Sequence, residues 1–323
     1  MTADIRKVLV IQAGTIAEFV LSLTAMKRIR AAHPRARITL LTVPQFEGLA
    51  KASPYFNEVL TTGHPGSPGE WLALRREIKS RRFDRVYDLE SSGWSKFLFQ
   101  MLRPFPPAWS GAARGARLRY HNPDRESMHT LERQAQQLQV AGIWPDAPTQ
   151  PGDAPAPDLS WILRRATEPR PVAGGARPKP FVLLVPGGVE NRPEKRWPIK
   201  AYAELAAQLR AHGYDIVVVG GPSESALARI IQKAVGQARD LTGRTDFAQI
   251  AVLGARAALA VGNNTGPMHL IAAAGAPTIA LVRDEPDAMV TAPRGHVTVL
   301  QAPDLAQLPV QTVAGAAWSL LPQ

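Results

Sequence analysis

The sequence of 323 residues predicts an α/β protein made of two doubly wound domains that face each other across a cleft. Short runs of β-branched residues alternate with stretches of helical periodicity, which is typical of parallel sheets covered by helices. A proline-rich segment, residues 144–180, separates two halves of similar length. The same alternation resumes after this segment, so we expect each half to form its own Rossmann-like sheet.

The first domain is expected over residues 1–165. Its predicted strands are Val8–Ile11, Arg37–Val43, Glu58–Thr62, Arg85–Leu89 and a short one near Ala108–Ser110. Apolar residues at helical spacing predict one helix after the first strand, from Ile16 to near His33, where Pro34 discourages further helix. Residues 111–128 are expected to form a basic loop, which a helix from about His129 to Val140 follows.

The second domain is expected over residues 166–323, and residues 144–180 supply the linker. Its predicted strands are Phe181–Val185, Ile216–Val219, Ala238–Leu241, Ala257–Val261, Thr278–Val282 and Val297–Leu300. Its predicted helices are Ile199–Ala211, Ser223–Val235, Phe247–Gly254, Pro267–Ala274 and one near Val310–Leu320.

Several classes of site are excluded by composition. The chain has no cysteine, which excludes disulfides, thiolate zinc sites, iron–sulfur clusters and a cysteine nucleophile. The seven histidines show no ligand spacing, and dinucleotide, Walker and serine-hydrolase motifs are missing, so neither a metal nor a cofactor is expected. No apolar run reaches the ~18 to 20 residues that cross a bilayer, and no secretory signal precedes the first strand. We therefore expect a cytoplasmic protein.

The net charge of +11 is concentrated in the first half. Residues 1–165 hold 23 Lys and Arg against 15 Asp and Glu, a net charge of +8. This excess suits an acidic partner such as an anionic membrane surface or glycolipid, although solubility alone also explains it. Nucleic acid is not expected as a partner, because the basic residues lack interleaved aromatic residues.

The strongest candidate turn is the segment from Gly262 to His269. A predicted strand ends before it, and Pro267 is placed to open a helix, whose free N–H groups attract anions. Asn264, Thr265, Gly266 and His269 are therefore candidate anion-binding residues. The structural alternative is a tight turn with a helix cap and a half-buried histidine.

Two more turns follow predicted strands. In the first, Gly187 and Gly188 let a ligand approach the backbone, and Lys195 and Arg196 can neutralise a diphosphate. A solvated Lys-Arg pair is the alternative. In the second, Glu224 either binds ribose hydroxyls or merely complements a helix dipole.

The turn after the first strand contains Glu18. Thr15 and Glu18 match the Ser/Thr-x-x-Glu capping box, which gives the carboxylate a structural role. Glu18 could instead act as a general base.

Taken in order, these motifs resemble those of the ADP-heptose:lipopolysaccharide heptosyltransferases, glycosyltransferase family nine. Residues 8–23 and 83–89 are similar to two conserved segments of the family's first domain, and residues 129–143 to the helix that closes it. The three turns around Lys195, Glu224 and Thr265 resemble its donor-site motifs. The last is the most specific, because Ala272-Ala273-Ala274-Gly275-Ala276-Pro277 follows it.

The resemblance implies the GT-B fold and an inverting, metal-independent transfer of a heptose-like sugar. The donor is an ADP-sugar or another nucleoside-diphosphate sugar, and the acceptor is an anionic glycolipid of the lipopolysaccharide core or a related glycan. Glu18 takes the position of the catalytic base and Lys195 that of the lysine that offsets diphosphate charge. Thr265, Gly266 and His269 would cradle the phosphates, and Glu224 would lie toward the nucleoside. The implied place of action is the cytoplasmic face of the inner membrane, in peripheral contact.

Three departures from the family pattern indicate a divergent member. The family has Gly-Asp where this chain has Ala17-Glu18, and Asp where it has Asn264. Glu190-Asn191 also replaces small hydroxyl residues. An alternative function therefore stays open, that of a non-catalytic nucleotide-sugar or glycan-binding relative that has lost the catalytic Asp. A sugar-nucleotide epimerase would need a histidine or acid constellation that the sequence does not supply.

Overall fold

The computed structural model describes residues 5–148, 150, 152–165, 179–188, 193–285 and 289–322. The chain forms two compact units, residues 1–157 and 158–323. The predicted boundary between residues 165 and 166 stays a prediction, since residues 166–178 lie outside the described part. Residues 158–165 belong to the second unit, in which the Leu159 N–H donates to the Ala273 carbonyl at 2.9 Å.

The first unit is a six-stranded parallel sheet with the strand order β3-β2-β1-β4-β5-β6. Its strands are β1 (Lys7–Ile11), β2 (Arg37–Leu41), β3 (Glu58–Leu60), β4 (Arg85–Asp88), β5 (Ala108–Gly111) and β6 (Leu118–Arg119). Its helices are α1 (Ile16–Leu21), α2 (Leu23–Ala32), α3 (Glu47–Ala52), α4 (Pro68–Arg81), α5 (Gly93–Met101) and α6 (Thr130–Val140).

The second unit repeats this architecture with the order β12-β11-β10-β7-β8-β9, again all parallel. Its strands are β7 (Phe181–Val185), β8 (Asp215–Val218), β9 (Arg239–Asp240), β10 (Leu259–Asn263), β11 (Thr278–Arg283) and β12 (Val297–Ala302). Its helices are α7 (Ile199–Ala211), α8 (Ser225–Val235), α9 (Phe247–Gly254), α10 (Gly266–Ala273) and α11 (Val310–Leu320). The predicted fold class, two doubly wound Rossmann-like domains, is confirmed.

The central strands β1 and β7 are runs of apolar residues without polar alternation, because helices cover both faces of a doubly wound sheet. In β1 and β7 the last four residues are fully buried. The helices α7, α9 and α11 begin and end where the sequence predicts them. Among the described residues, no helix is both long enough and apolar enough to cross a bilayer.

Most predicted strand ends differ from the structure by one or two residues, helices α3, α4 and α5 were not predicted, and three further differences involve particular contacts. The helix predicted from Ile16 onward is divided into α1 and α2 at Ser22, whose hydroxyl donates to the Glu18 carbonyl at 2.7 Å, beside the backbone bond to the same oxygen. The basic loop 111–128 contains the two-residue strand β6, too short to leave a pattern. Strand β10 begins at Leu259 because the Ala257 N–H is still bonded to the last turn of α9, and it runs on to Asn263.

Asp88, at the end of β4, is a completely buried carboxyl. Its Oδ1 accepts from the Ser91 N–H at 2.7 Å and its Oδ2 from the Ser95 hydroxyl at 2.9 Å. Burial and, to a smaller extent, the charge of Glu90 raise its pKa to about 7 despite these bonds.

We expect Asp88 to make the protein less stable as the pH rises. Its pKa is 3.8 in the unfolded chain and about 7 in the fold, so between these values the folded state binds more protons. The free energy of unfolding therefore falls from about pH 4 to about pH 7, and Asp88→Asn removes this part of the slope. Urea midpoints at pH 5 and pH 8 measure it. Identical slopes for both proteins would refute the assignment.

We expect Gly262→Ala, in β10, to destabilise the protein. A Cβ there would lie 2.7 Å from the Val185 Cβ and 2.9 Å from the Val185 carbonyl oxygen, inside a closely packed sheet. Overpacking of this kind costs about 1–3 kcal/mol. Gly315→Ala in α11 is the control, because a Cβ there has no atom within 4 Å and should stabilise the helix by about 0.5–1 kcal/mol. Thermal unfolding of both variants measures these effects. A melting temperature of Gly262→Ala no lower than that of the wild type would contradict the prediction.

Candidate functional site

The three predicted donor-site turns lie at one edge of the second sheet. They follow β7, β8 and β10, and β7 is hydrogen-bonded to both of the others. Since all strands run parallel, their carboxyl ends share that edge. The crevice beside β7 and β10 is also where the strand order reverses, the usual ligand site of such sheets.

Glu224 joins two of these turns. Its carboxylate lies against the backbone of Gly187, where an added Cβ would be 2.8 Å from Oε1. An added Cβ at Gly221 would be 3.0 Å from Oε2. The absence of a side chain at Gly187 and Gly221 thus leaves room for the Glu224 carboxylate. Glu224 itself ends a short 3-10 helix, Pro222–Glu224, before α8 begins.

Lys195 and Arg196 do not project freely into solvent. The Lys195 Nζ lies 2.5 Å from Oε2 of Glu285, a residue just after β11 that the sequence analysis missed. Arg283 lies 3.3 Å from the other oxygen of Glu285. Arg196 Nη2 donates to the Gly188 carbonyl at 2.9 Å, so this side chain covers the glycine turn. The alternative of a simply solvated Lys-Arg pair does not describe this arrangement.

Asn263 is a second residue that the sequence analysis missed. Its Oδ1 accepts from the Trp197 N–H at 2.9 Å and from the Tyr202 hydroxyl at 3.1 Å. Its Nδ2 donates to the carbonyls of Pro186 and Gly187, both at 3.0 Å. One fully paired, buried amide therefore fixes the end of β10 to the turn after β7. The sequence signal was only a polar residue at a strand end.

The N-terminus of α10 carries the remaining candidates. Thr265 is the N-cap residue, yet its side chain makes no capping hydrogen bond, and Gly266 begins the helix. Among the described residues, no hydrogen bond reaches the buried atoms Thr265 Oγ1 and Asn264 Oδ1. His269 is only 3% exposed, one turn into the helix. Two unpaired polar atoms at the N-terminus of a helix form a place for a polar ligand.

Glu18 lies in the first unit, on α1, in the predicted capping box. Its Oε2 accepts from the Thr15 N–H at 2.8 Å and the Thr15 hydroxyl at 2.9 Å. The Thr15 hydroxyl in turn accepts from the Glu18 N–H at 3.3 Å. Both cap bonds to the carboxylate use one oxygen, and no hydrogen bond from a described residue reaches Oε1. The cap thus leaves half of the carboxylate available for chemistry.

A half-buried cation lies within electrostatic reach of Glu18. Burial lowers the pKa of Arg133 on α6, the charge of Arg125 lowers it further, and the charges of Glu126 and Glu18 oppose this. Its Nη2 is 3.4 Å from the Thr130 hydroxyl. The charge of Glu18 therefore acts on a partly buried guanidinium of the same unit.

The sequence analysis expected no metal site, and it noted two unusual residues, Glu190 and Asn191, in the loop before Lys195. No group of three or more His, Asp or Glu residues suited to hold a metal occurs in the described ranges. Glu190 and Asn191, where the sequence departs from the family pattern, lie outside those ranges.

Comparison with known proteins supports the resemblance seen in the sequence. The family model described as glycosyltransferase family 9 (heptosyltransferase) matches residues 71–308. Lipopolysaccharide heptosyltransferase 2 of Escherichia coli K12 is 28% identical over 298 residues, which cover 85% of this chain and 82% of the relative. Lipooligosaccharide heptosyltransferase 2 of Haemophilus ducreyi is 24% identical over 296 residues, which cover 84% and 81%.

Solved structures share the fold along almost the whole chain. A family 9 glycosyl transferase from Veillonella parvula superposes with a TM-score of 0.80 at 20% identity, covering 99% of this chain and 98% of the other. For E. coli ADP-heptose lps heptosyltransferase II, the TM-score is 0.76 at 23% identity, with coverage of 97% and 98%. Since the family model spans most of the chain, we conclude that this protein is a divergent member of glycosyltransferase family 9, the heptosyltransferase family, and thus a glycosyltransferase enzyme.

Proposed function

We propose that the protein transfers a heptose-like sugar from an ADP-sugar, or another nucleoside-diphosphate sugar, to the lipopolysaccharide core or a related glycan. Relatives named as lipopolysaccharide heptosyltransferases support the acceptor class. Structures of an E. coli heptosyltransferase with ADP and with ADP-2-deoxy-2-fluoro heptose share this fold and support the donor class.

The observation that carries the proposal is the set of polar groups at the β7/β10 edge. The Thr265 hydroxyl, which no hydrogen bond from a described residue reaches, can donate to a diphosphate at the positive N-terminus of α10, and Asn264 Oδ1 can accept from a hydroxyl of the donor. Lys195 supplies a positive charge that can neutralise the diphosphate, so the proposed reaction needs no metal ion for this purpose. As the anomeric bond breaks, negative charge grows on the diphosphate, and preorganised donors at that place are worth about 10²–10³ in rate each.

The proposed chemistry is a single displacement. An acceptor hydroxyl attacks the anomeric carbon and gives its proton to Glu18 Oε1. The bond between that carbon and the diphosphate oxygen breaks, and the diphosphate leaves with the electron pair. One attack from the opposite face inverts the configuration at the carbon. General base catalysis of this kind contributes about 10²–10⁴.

The positive charge of residues 1–165 supports the choice of an anionic glycolipid acceptor. Peripheral contact with the cytoplasmic face of the inner membrane is part of the same proposal, because anionic lipid headgroups attract basic surfaces.

We expect Glu18→Gln to lower kcat by about 10²–10⁴. Glutamine is accepted at this position of a capping box, so the variant keeps the cap and loses only the basic oxygen. ADP binding and thermal stability should stay at wild-type values, which identifies the loss as chemical. Sugar transfer under single-turnover conditions measures it.

A Glu18→Gln variant as fast as the wild type would remove Glu18 as the base. If neither protein transferred sugar while both bound the nucleotide sugar, the non-catalytic alternative would stand. The observation that favours this alternative is the cap itself, which holds one oxygen of the carboxylate.

We expect Lys195→Gln to weaken ADP binding about 10- to 100-fold, since a hydrogen bond to a charged partner is lost. Glu285→Gln should tighten ADP binding, because its carboxylate competes with the diphosphate for the Lys195 ammonium. Lys200→Gln, an exposed lysine on α7, is the matched control for net charge. Calorimetric titration with ADP tests the series. Equal losses at Lys195 and Lys200 would show a general charge effect instead of a site.

A further inference from the structure

Both backbone polar groups of Ala13, two residues after the end of β1, are held by side chains. Its N–H donates to Glu90 Oε2 at 2.9 Å, and its carbonyl lies 2.9 Å from Nε2 of His64. Glu90 follows β4, and His64 lies in the connection between β3 and α4. We call these two side chains the Ala13 clamp. Two separate segments of the first unit therefore converge on one backbone residue of a third.

Glu90 is built into this position. Its side chain is 7% exposed, and its Oε1 accepts from the Trp94 indole N–H at 2.6 Å. The same oxygen lies 3.9 Å from His64 Nε2, and the His64 ring contacts the Trp94 ring at 4.9 Å between centroids. Because a carbonyl can only accept, Nε2 of His64 carries the proton in this bond. A carboxylate this buried is costly unless its partners satisfy it, and here they do.

The clamp acts on the turn that leads to Glu18. The next residue, Gly14, donates its N–H to Gln12 Oε1 at 3.2 Å. A Cβ at Gly14 would collide with the Glu18 carboxylate, so this backbone and that side chain lie in contact. Thr15, which holds Glu18 Oε2, comes next. A shift of the Ala13 backbone would therefore move the support of the candidate base.

We propose that Glu90 and His64 are positioning residues, which hold the Ala13–Glu18 turn so that Glu18 Oε1 meets the acceptor hydroxyl. This inference rests on the proposed function, because it takes Glu18 as the base. Catalytic groups lose about 10²-fold in rate when they are misplaced by about 1 Å, so a clamp of this kind has kinetic consequences. Neither side chain touches the reacting atoms in this proposal.

The test compares Glu90→Gln with Glu132→Gln. Glutamine presents one oxygen and one NH₂ group, so Gln at position 90 cannot accept from both Ala13 and Trp94. Glu132 is a matched control in the same unit. It is also buried, accepts a backbone N–H (Gly152, 2.8 Å) and lies beside a histidine (His129 Nδ1, 3.3 Å). Both variants should lose thermal stability.

The expected result is a loss in kcat of about 10- to 100-fold for Glu90→Gln alone, with KM for the nucleotide sugar unchanged. His64→Ala should lose kcat too, and His64→Gln should recover part of it, since its amide N–H can reach the Ala13 carbonyl. Equal kcat for Glu90→Gln and Glu132→Gln would overturn the proposal, as would a KM effect in place of the kcat effect.

Amide hydrogen exchange separates this inference from the proposed function. Loosening of the clamp should speed exchange at residues 13–15 in Glu90→Gln and leave it unchanged in Glu132→Gln. Unchanged exchange at these residues in Glu90→Gln overturns the clamp. Suppose that Glu18→Gln keeps the wild-type rate of sugar transfer while residues 13–15 exchange faster in Glu90→Gln. Glu18 is then not the base, and Glu90 and His64 do not position a base. The Ala13 clamp remains as a structural feature.

Discussion

The order of strands in each sheet is the constraint on which the candidate sites depend. In both units the first and fourth strands of the domain are neighbours, β1 beside β4 and β7 beside β10. The connections from these two strands leave in opposite directions, so a crevice opens between their carboxyl ends. Ala13 and Glu90 follow the first pair, and Pro186 and Asn264 follow the second. The chemistry-bearing residues thus converge although they are far apart in the sequence.

Buried polar side chains close each crevice at its base. In the second unit, Asn263 satisfies all four of its hydrogen-bonding sites and holds the two loops together. In the first unit, Gln12 bonds the Ser22 hydroxyl at 2.6 Å, and Gln134 bonds the same hydroxyl at 2.7 Å. Buried hydrogen bonds of this kind rigidify a site, because movement would break them and leave buried polar groups unpaired. Rigid support is what a preorganised catalytic site requires.

The sequence predicts the fold well because burial on both faces leaves a local signal. The central strands are apolar runs, and several helix ends carry their own caps, such as Asp246 with Gln249 at the start of α9. Glycines and charged residues at strand ends also mark the turns that carry the candidate site. By contrast, Glu285, Glu90 and His64 lie in loops without a motif. Their importance depends on contacts across more than 50 residues of chain, as in the bond between Glu90 and Ala13. Periodicity and spacing contain no information about such contacts.

The pairing of Lys195 with Glu285 affects both the affinity of the proposed donor site and the rate at which the product leaves it. A carboxylate at 2.5 Å lowers the cost of holding the Lys195 ammonium beside Arg283, because like charges near each other are unfavourable. Under the proposed function, a diphosphate binds by replacing one anionic partner of Lys195 with another. Such an exchange recovers less free energy than pairing an isolated cation would, because a bond to Glu285 is broken for each one gained. The affinity for the diphosphate is therefore lower. Release of the diphosphate is faster, because the Glu285 carboxylate can pair with the Lys195 ammonium again as the diphosphate leaves. Tight binding of the departing product would otherwise limit the rate, as product release does in many enzymes.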